Sequence, residues 1–289
     1  MDNRCPMTVD HYENFPVASV LCPPALRPAV TAIYHFARTA DDIADEGSAA
    51  PAERLALLDR YELALKEAAL GRVSSEWPQV FGPLAQQIAA HELPLTLLSQ
   101  LLAAFKQDTH NPLYPDRAAL LDYCSRSANP IGRLLLHLSG VREPAALVQS
   151  DAICSALQLI NFWQDMSVDH PRGRFYVPLA DAQRHGLEVK SLHNDSAASR
   201  ALVRELCAWA RELMHQGEPL VHRLPGRFGW ELRLVVQGGL RVVDKIEAHG
   251  FNPLGRRPTV GALDAPLLLW RALWMPRAEA VALSDRATR

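Results

Sequence analysis

The strongest constraint on the fold is a pair of aspartate rows at helical spacing: Asp41-Asp-Ile-Ala-Asp45 near the start, and Asn161-Phe-Trp-Gln-Asp165-Met-Ser-Val-Asp169 near the middle. Residues four apart on a helix share a face and stand roughly 6 Å apart along its axis, so each row aims its carboxylates one way. Acids so close repel when ionised unless solvent or a hard divalent cation compensates. On a solvated surface such pairs are commonplace. Here the first row ends the run Ala29-Val-Thr-Ala-Ile-Tyr34-His-Phe36-Ala, and the second follows Ile153-Cys-Ser-Ala-Leu157-Gln-Leu-Ile160, so both grow out of buried-looking helices. Acids on the inward stripe of such helices lie beside a core or a cleft, where unpaired charge is hardest to tolerate. Each row is therefore half of a candidate metal clamp. Magnesium held through one or two carboxylates, with its other positions on water and substrate phosphates, meets that demand.

Basic groups accompany both rows. Arg38 stands three residues before Asp41 on the same helix face, while Arg172 and Arg174 follow Asp169 across the turn His170-Pro-Arg-Gly173. Magnesium and arginine both take phosphate oxygens, so the combination points to a polyanionic ligand, with a diphosphate as the natural candidate. Plain pairing of these arginines with the neighbouring aspartates is the competing reading.

The rest of the chain predicts helices. Period-3.6 patterns run through Pro51 to Leu70, Pro94 to Lys106, Ala145 to Val168, Ser199 to Gln216 and Glu231 to Ala248, with Pro51, Pro78, Pro94, Pro130 and Pro178 mostly where helices would begin. Strand-like alternation is scarce, and a chain of 289 residues, 48% hydrophobic, can bury a large core. The expected architecture is all-α: a single helical bundle over residues 1–289 with a central apolar cavity. A net charge of −2 gives no reason to expect nucleic acid. No Gly-x-Gly-x-x-Gly turn after a strand and no phosphate-loop signature occurs, which argues against Rossmann and nucleotide-triphosphatase sites. Cys5, Cys22, Cys124, Cys154 and Cys207 are scattered and odd in number, which fits a reducing cytoplasm rather than a disulfide framework or a zinc site. His35 and His137 lie in apolar runs and read as satisfied core residues rather than ligands. The N-terminus lacks a signal-peptide layout, and no apolar run reaches the roughly 18 residues of a membrane span. The segment Pro266-Leu-Leu-Leu-Trp270-Arg-Ala-Leu-Trp274-Met-Pro-Arg277 reads as a terminal helix docked on the bundle, or as an interfacial helix at the inner membrane face.

An ordered set of motifs carries a family resemblance. Tyr34, Arg38 and Asp41-x-x-x-Asp45 are followed by Phe105-Lys-Gln-Asp108, then by Tyr123-Cys-Ser-Arg-Ser127-Ala-Asn129-Pro-Ile-Gly132-Arg133. Next come Gln158-x-x-Asn161-x-x-x-Asp165-x-x-x-Asp169, Gly173-Arg174-Phe175-Tyr176-Val177-Pro178 and Asp244-Lys245-Ile246-Glu247. From about Phe15 to the Arg256-Arg257 region the chain resembles the squalene and phytoene synthase family. Glu13-Asn-Phe-Pro-Val-Ala-Ser19, the run from Phe36 to Gly47 and the aromatic Asn161-Phe-Trp-Gln-Asp165 resemble most the branch that makes hydroxysqualene in bacterial hopanoid biosynthesis.

The resemblance implies magnesium held by Asp41, Asp45, Asn161, Asp165 and Asp169, with Asp41, Asp45, Asp165 and Asp169 catalytic. It implies Arg38, Tyr34, Tyr123, Gln158, Asn161, Arg174 and Tyr176 around the substrate, presqualene diphosphate. Ionisation of that substrate, rearrangement of the cation and capture by water would give hydroxysqualene and diphosphate. Preorganised cations would stabilise the leaving diphosphate, and aromatic faces such as Phe36, Phe162, Trp163 and Tyr123 could face the carbocation, although ordinary core packing is the commoner role for aromatics at helical spacing. Pathway-enzyme partners and peripheral membrane contact would suit so greasy a substrate. Members that condense two prenyl diphosphates usually carry Asn-Ile-Leu-Arg-Asp where this chain has Gln164, so a fixed charge is expected to be missing there. Leu113-Tyr114 replaces a common arginine–tyrosine pair, and the proline-rich segment Thr109 to Pro115 reads as irregular and without chemistry. The alternatives are presqualene diphosphate synthase, squalene synthase or phytoene synthase on the same fold, and a non-catalytic helical binding or assembly protein.

Overall fold

Prolines and apolar periodicity set the helix boundaries. The computed structural model describes residues 22–192, 194–252, 254–255 and 257–276, which form α-helices and short 3-10 turns, with no strand among the described residues. In chain order the helices are α1 (Arg27–Asp45), α2 (Pro51–Ala69), α3 (Pro78–His91), α4 (Leu95–Asp108), α5 (Arg117–Ser127), α6 (Asn129–Leu138), α7 (Pro144–Asp169), α8 (Leu179–Arg184), α9 (Ala197–Gly217), α10 (Gly226–Ala248) and α11 (Ala265–Leu273). Pro51, Pro78 and Pro144 are first helical residues, where the missing N–H costs nothing, and Pro94 and Pro178 stand just ahead of α4 and α8. The Glu13–Ser19 motif, Cys5, Arg256 and Arg277 lie outside the described residues.

Two apolar clusters hold the helices together. One joins α1, α2, α3, α4 and α6, and its aromatic centre stacks Phe36 on Tyr61 at 5.4 Å, with the Tyr61 hydroxyl donating to the Phe36 carbonyl at 3.1 Å. The other surrounds α7, the long central helix, packed along α9 and against α5 and α10, with Trp163 fully buried. At Gly132 a Cβ would stand 2.4 Å from Ser150 Oγ and 2.5 Å from Cys154 Sγ, so its absence lets α6 lie directly on α7.

Between the clusters runs a cavity of about 540 Å³ walled by Ile33, Leu135, Leu157, Leu224, Phe228 and Leu232. Tyr34, Arg38, Asp41 and Gln158 also line it, which joins the apolar space to the first aspartate row. The position of α1 and α7 on opposite walls is what makes the rows face one another.

Two histidine expectations separate. His137 is half-buried with Nε2 at 2.8 Å from the His91 carbonyl, whereas His35 is exposed, because its place on α1 turns away from the packed face that carries Ile33 and Phe36. Cys22, Cys124, Cys154 and Cys207 are free thiols. No helix among the described residues is long and apolar enough to cross a membrane. Helix α11 docks on α10 through Arg271 to Asp244 at 2.6 Å and through Arg233 to the Ala272 carbonyl at 3.5 Å. Its other side stays open, with Trp270 61% and Trp274 69% exposed and Leu263 98% exposed just before it.

Candidate active site

The last turn of α1 presents Asp41, Asp42 and Asp45, and the last turns of α7 present Asn161, Asp165 and Asp169. Arg174 joins the rows: one guanidinium nitrogen contacts Asp45 Oδ2 and another contacts Asp169 Oδ1 at 3.0 Å. Its reach back to α7 is a matter of backbone. Gly173 adopts φ 74°, a left-handed conformation that a side chain would strain, so the chain reverses after the 3-10 turn and the Arg174 N–H donates to the Asp169 carbonyl at 3.0 Å. Arg172, on the same turn, faces solvent.

The remaining acids are also held by guanidinium groups. Arg38 contacts Asp41 at 3.2 Å, Asp42 at 2.7 Å and Glu46 at 3.1 Å. Asp165 accepts from Asn161 Nδ2 at 3.0 Å and from both Nε and Nη2 of Arg257, the latter at 3.0 Å. Burial and the neighbouring Asp45 push the Asp41 carboxyl up to about 6 despite Arg38. Burial, opposed by Arg174 and aided by Asp165, pushes Asp169 up to about 6. Like charges confined in a half-buried cleft hold protons more tightly than they would in water, and a cation arriving there relieves that repulsion. The buried Nε–H groups of Arg38 and Arg174 have no hydrogen-bond partner among the described residues, a cost that a bound anion could relieve only if the side chains shift.

Beneath the rows lies an aromatic layer. The Tyr123 hydroxyl donates to Asp108 Oδ2 at 2.9 Å, and Tyr176 stacks on Phe162 at 3.7 Å with the rings 7° from parallel. Tyr114 closes the layer at 5.5 Å from Tyr123. Burial pushes the Asp108 carboxyl up to about 7; the Tyr123 hydrogen bond works against this and Asp41 adds to it. Of the aromatic residues suggested for a cation, Phe162 and Tyr123 belong to this layer and Phe36 and Trp163 lie elsewhere in the two clusters; all four are buried core and none lines the cavity. Tyr34 and Gln158 line the cavity near Asp41.

Three site residues carried too little sequence signal. Asp108 precedes and Tyr114 lies within a proline-rich stretch read as irregular, and irregular it is, yet Tyr114 is buried against Tyr123 and Tyr176. Arg257 reaches Asp165 across 92 positions, a distance no local pattern reports. Gln164, where the fixed charge was expected to be missing, is fully buried and donates to the Pro258 carbonyl at 2.6 Å, while Arg257 pairs with the neighbouring Asp165.

Among the described residues no group of three or more His, Cys, Asp or Glu could hold one metal ion by itself. The donor set nevertheless fits hard divalent ions that share their coordination with phosphate, since it is all oxygen and offers one or two carboxylates from each row.

A helical fold whose apolar cavity reaches Arg38 and Asp41, with the second acid row tied to the first through Arg174, defines a class: proteins that handle a long apolar molecule with a polyanionic head. The description of the squalene/phytoene synthase family matches residues 8–264, and the chain belongs to that family, whose members use prenyl diphosphates. It is 41% identical over 170 residues to a hydroxysqualene synthase of Zymomonas mobilis, a match covering 57% of this chain and 54% of that protein. It is 31% identical over 256 residues to a hydroxysqualene synthase of Sinorhizobium fredii, covering 87% and 85%. The crystal structure of squalene synthase HpnC from Alicyclobacillus acidocaldarius superposes with a TM-score of 0.76 at 34% identity, covering 84% of this chain and 91% of that one.

Proposed function

We propose that this protein is a hydroxysqualene synthase, a single catalytic unit that ionises presqualene diphosphate and lets water capture the rearranged cation. The balance is simple: the carbon–oxygen bond to diphosphate breaks, a new carbon–oxygen bond forms to water, and one water proton leaves. The observation that carries the reading is Arg174 spanning Asp45 and Asp169, because it places both rows within the reach of one anionic head group. In this reading Asp41, Asp45, Asn161, Asp165 and Asp169 hold magnesium, which when bound neutralises the departing diphosphate. Arg38, Arg174 and Arg257 supply preorganised donors to the same oxygens, which lowers the barrier where negative charge develops. Tyr34 and Gln158 sit at the junction of head group and chain, and the apolar cavity shields the cation from early quenching. Tyr123 and Tyr176 pack together at 6.2 Å in the aromatic layer, from which their rings would act on a cation only at a distance.

The exposed Leu269, Trp270 and Leu273 of α11, with Trp274 just after it, support peripheral contact with the inner membrane face, from which so apolar a substrate would be drawn and where pathway-enzyme partners would stand. A location in the cytoplasm belongs to the same reading.

One observation favours a second reading, the condensation of two prenyl diphosphates: Arg257 beside Asp165 supplies the charge that Gln164 lacks. Purified protein given presqualene diphosphate and magnesium, with and without a reduced nicotinamide, separates the two. Hydroxysqualene formed without reductant is the expected result. Squalene formed only with reductant, or a C30 product from farnesyl diphosphate alone, overturns it.

A further inference from the structure

The segment that delivers Arg257 is tied down at successive points. Its described residues follow α10 without regular structure of their own through Gly261. Gln164, adjacent to Asp165 on α7, donates Nε2 to the Pro258 carbonyl at 2.6 Å, while Asp165 itself takes the guanidinium of Arg257. Two neighbouring residues of one helix thus grip two neighbouring residues of the segment, from sides about 100° apart around the helix axis. From α10, Lys245 Nζ donates to the Thr259 carbonyl at 2.6 Å and to Asp264 Oδ2 at 2.5 Å. Arg241 Nε donates to Asp264 Oδ1 at 2.8 Å, and Asp264 Oδ2 also accepts from the Gly261 N–H at 2.8 Å.

A slip of one residue would break these contacts together. It would carry the Arg257 guanidinium about 3.5 Å along the segment, beyond hydrogen-bond reach of Asp165. Neither Gln164 nor Lys245 lines the cavity. Both act from behind, on backbone carbonyls, and Gln164 is fully buried where a surface glutamine would need no partner.

We propose that Gln164 and Lys245 are positioning residues that fix the register of the 257–264 strap, so that Arg257 is presented to the anion held at the second aspartate row. The inference rests on the diphosphate reading of the cleft and adds residues that touch neither metal nor substrate. Position 164 sets alignment in this chain, and the charge comes from Arg257.

Binding of inorganic diphosphate, measured by calorimetry in the presence of magnesium, is the test. Arg257→Ala weakens binding about 10- to 100-fold, as expected for loss of a charge-assisted contact. Gln164→Ala and Lys245→Ala each weaken it about 3- to 10-fold, and Lys245→Arg restores most of the loss. The deciding measurement is the double variant: Gln164→Ala added to Arg257→Ala has no further effect, because the glutamine acts only through the arginine. Hydrogen exchange supplies a second readout, with faster exchange of amides 259–264 and unchanged protection along α7 and α10 in the single variants. Should Gln164→Ala fail to fold, Lys245→Ala carries the same cycle from a half-buried position. Wild-type affinity in the single variants, or additive losses in the double variant, overturns the strap and leaves the site intact. A wild-type protein that ignores diphosphate with magnesium overturns the site reading, and the strap with it.

Discussion

The two ends of the cavity follow opposite rules. At the apolar end, Ile33, Leu157, Leu224, Phe228 and Leu232 define a shape and make no directional contact. The polar end is marked by Asp41 and Arg38, and from there outward each of the row carboxylates Asp41, Asp45, Asp165 and Asp169 meets a guanidinium drawn from one of three separate places: Arg38 in α1, Arg174 after α7 and Arg257 after α10. The difference teaches that volume decides what hydrocarbon the protein accepts, while charge geometry decides what is done to its head group. Changes at one end should therefore leave the other end's measurements nearly untouched.

Asp165→Ala is the severest challenge to the polar end. It is expected to abolish measurable turnover, a loss of about 1,000-fold or more, while the helical circular dichroism stays unchanged. Full activity in that variant would remove Asp165 from the chemistry. Arg174→Gln comes next: with Asp45 and Asp169 facing each other unbridged, turnover is expected to fall about 100-fold and the melting temperature to drop, partly recovering when magnesium and diphosphate are added together. A drop without recovery would assign Arg174 to structure alone.

Leu232→Trp probes the other end. Filling the apolar cavity is expected to raise KM for presqualene diphosphate about 10-fold and to leave the affinity for inorganic diphosphate within about twofold. Equal losses on both ligands would show that the two ends are not separable.

Asp108→Asn gives the smallest effect, and in stability it is a gain. An aspartate titrates near about 3.9 in an unfolded chain, whereas burial raises Asp108 to about 7 in the fold. Between those values the folded protein keeps a proton that the unfolded chain has lost, so rising pH withdraws stability through that window. The asparagine cancels this. Denaturant unfolding should find the variant more stable by about 1–3 kcal/mol at pH 8, with the difference closing near pH 4. A constant difference across that range would mean that Asp108 titrates normally.

How much was legible in the sequence follows the same divide. Helices, proline starts and the two acid rows are local patterns, and the period of the helix alone places Asp41 with Asp45 in the first row and Asn161 with Asp165 and Asp169 in the second. The turn at Gly173 was visible as Gly-Arg after the second row, although its left-handed conformation was needed to see Arg174 swing back. Long-range pairings were not legible. Arg257 on Asp165, Gln164 on Pro258 and the burial of Tyr114 depend on how loops cross the bundle, which no period encodes. His35 shows the converse: an apolar neighbourhood in sequence does not say which way one residue of a helix turns.

The bridge made by Arg174 has a consequence for the order of events. On the proposed reading, a divalent ion entering by itself would compete with a guanidinium already seated between the opposing carboxylates, whereas one escorted by pyrophosphate would offer that guanidinium a new oxygen to hold. Ion and anion would then raise each other's affinity by the same factor, as linkage requires. On that reading the resting protein would keep its own counterion, Arg174, and exchange it only for a complete guest.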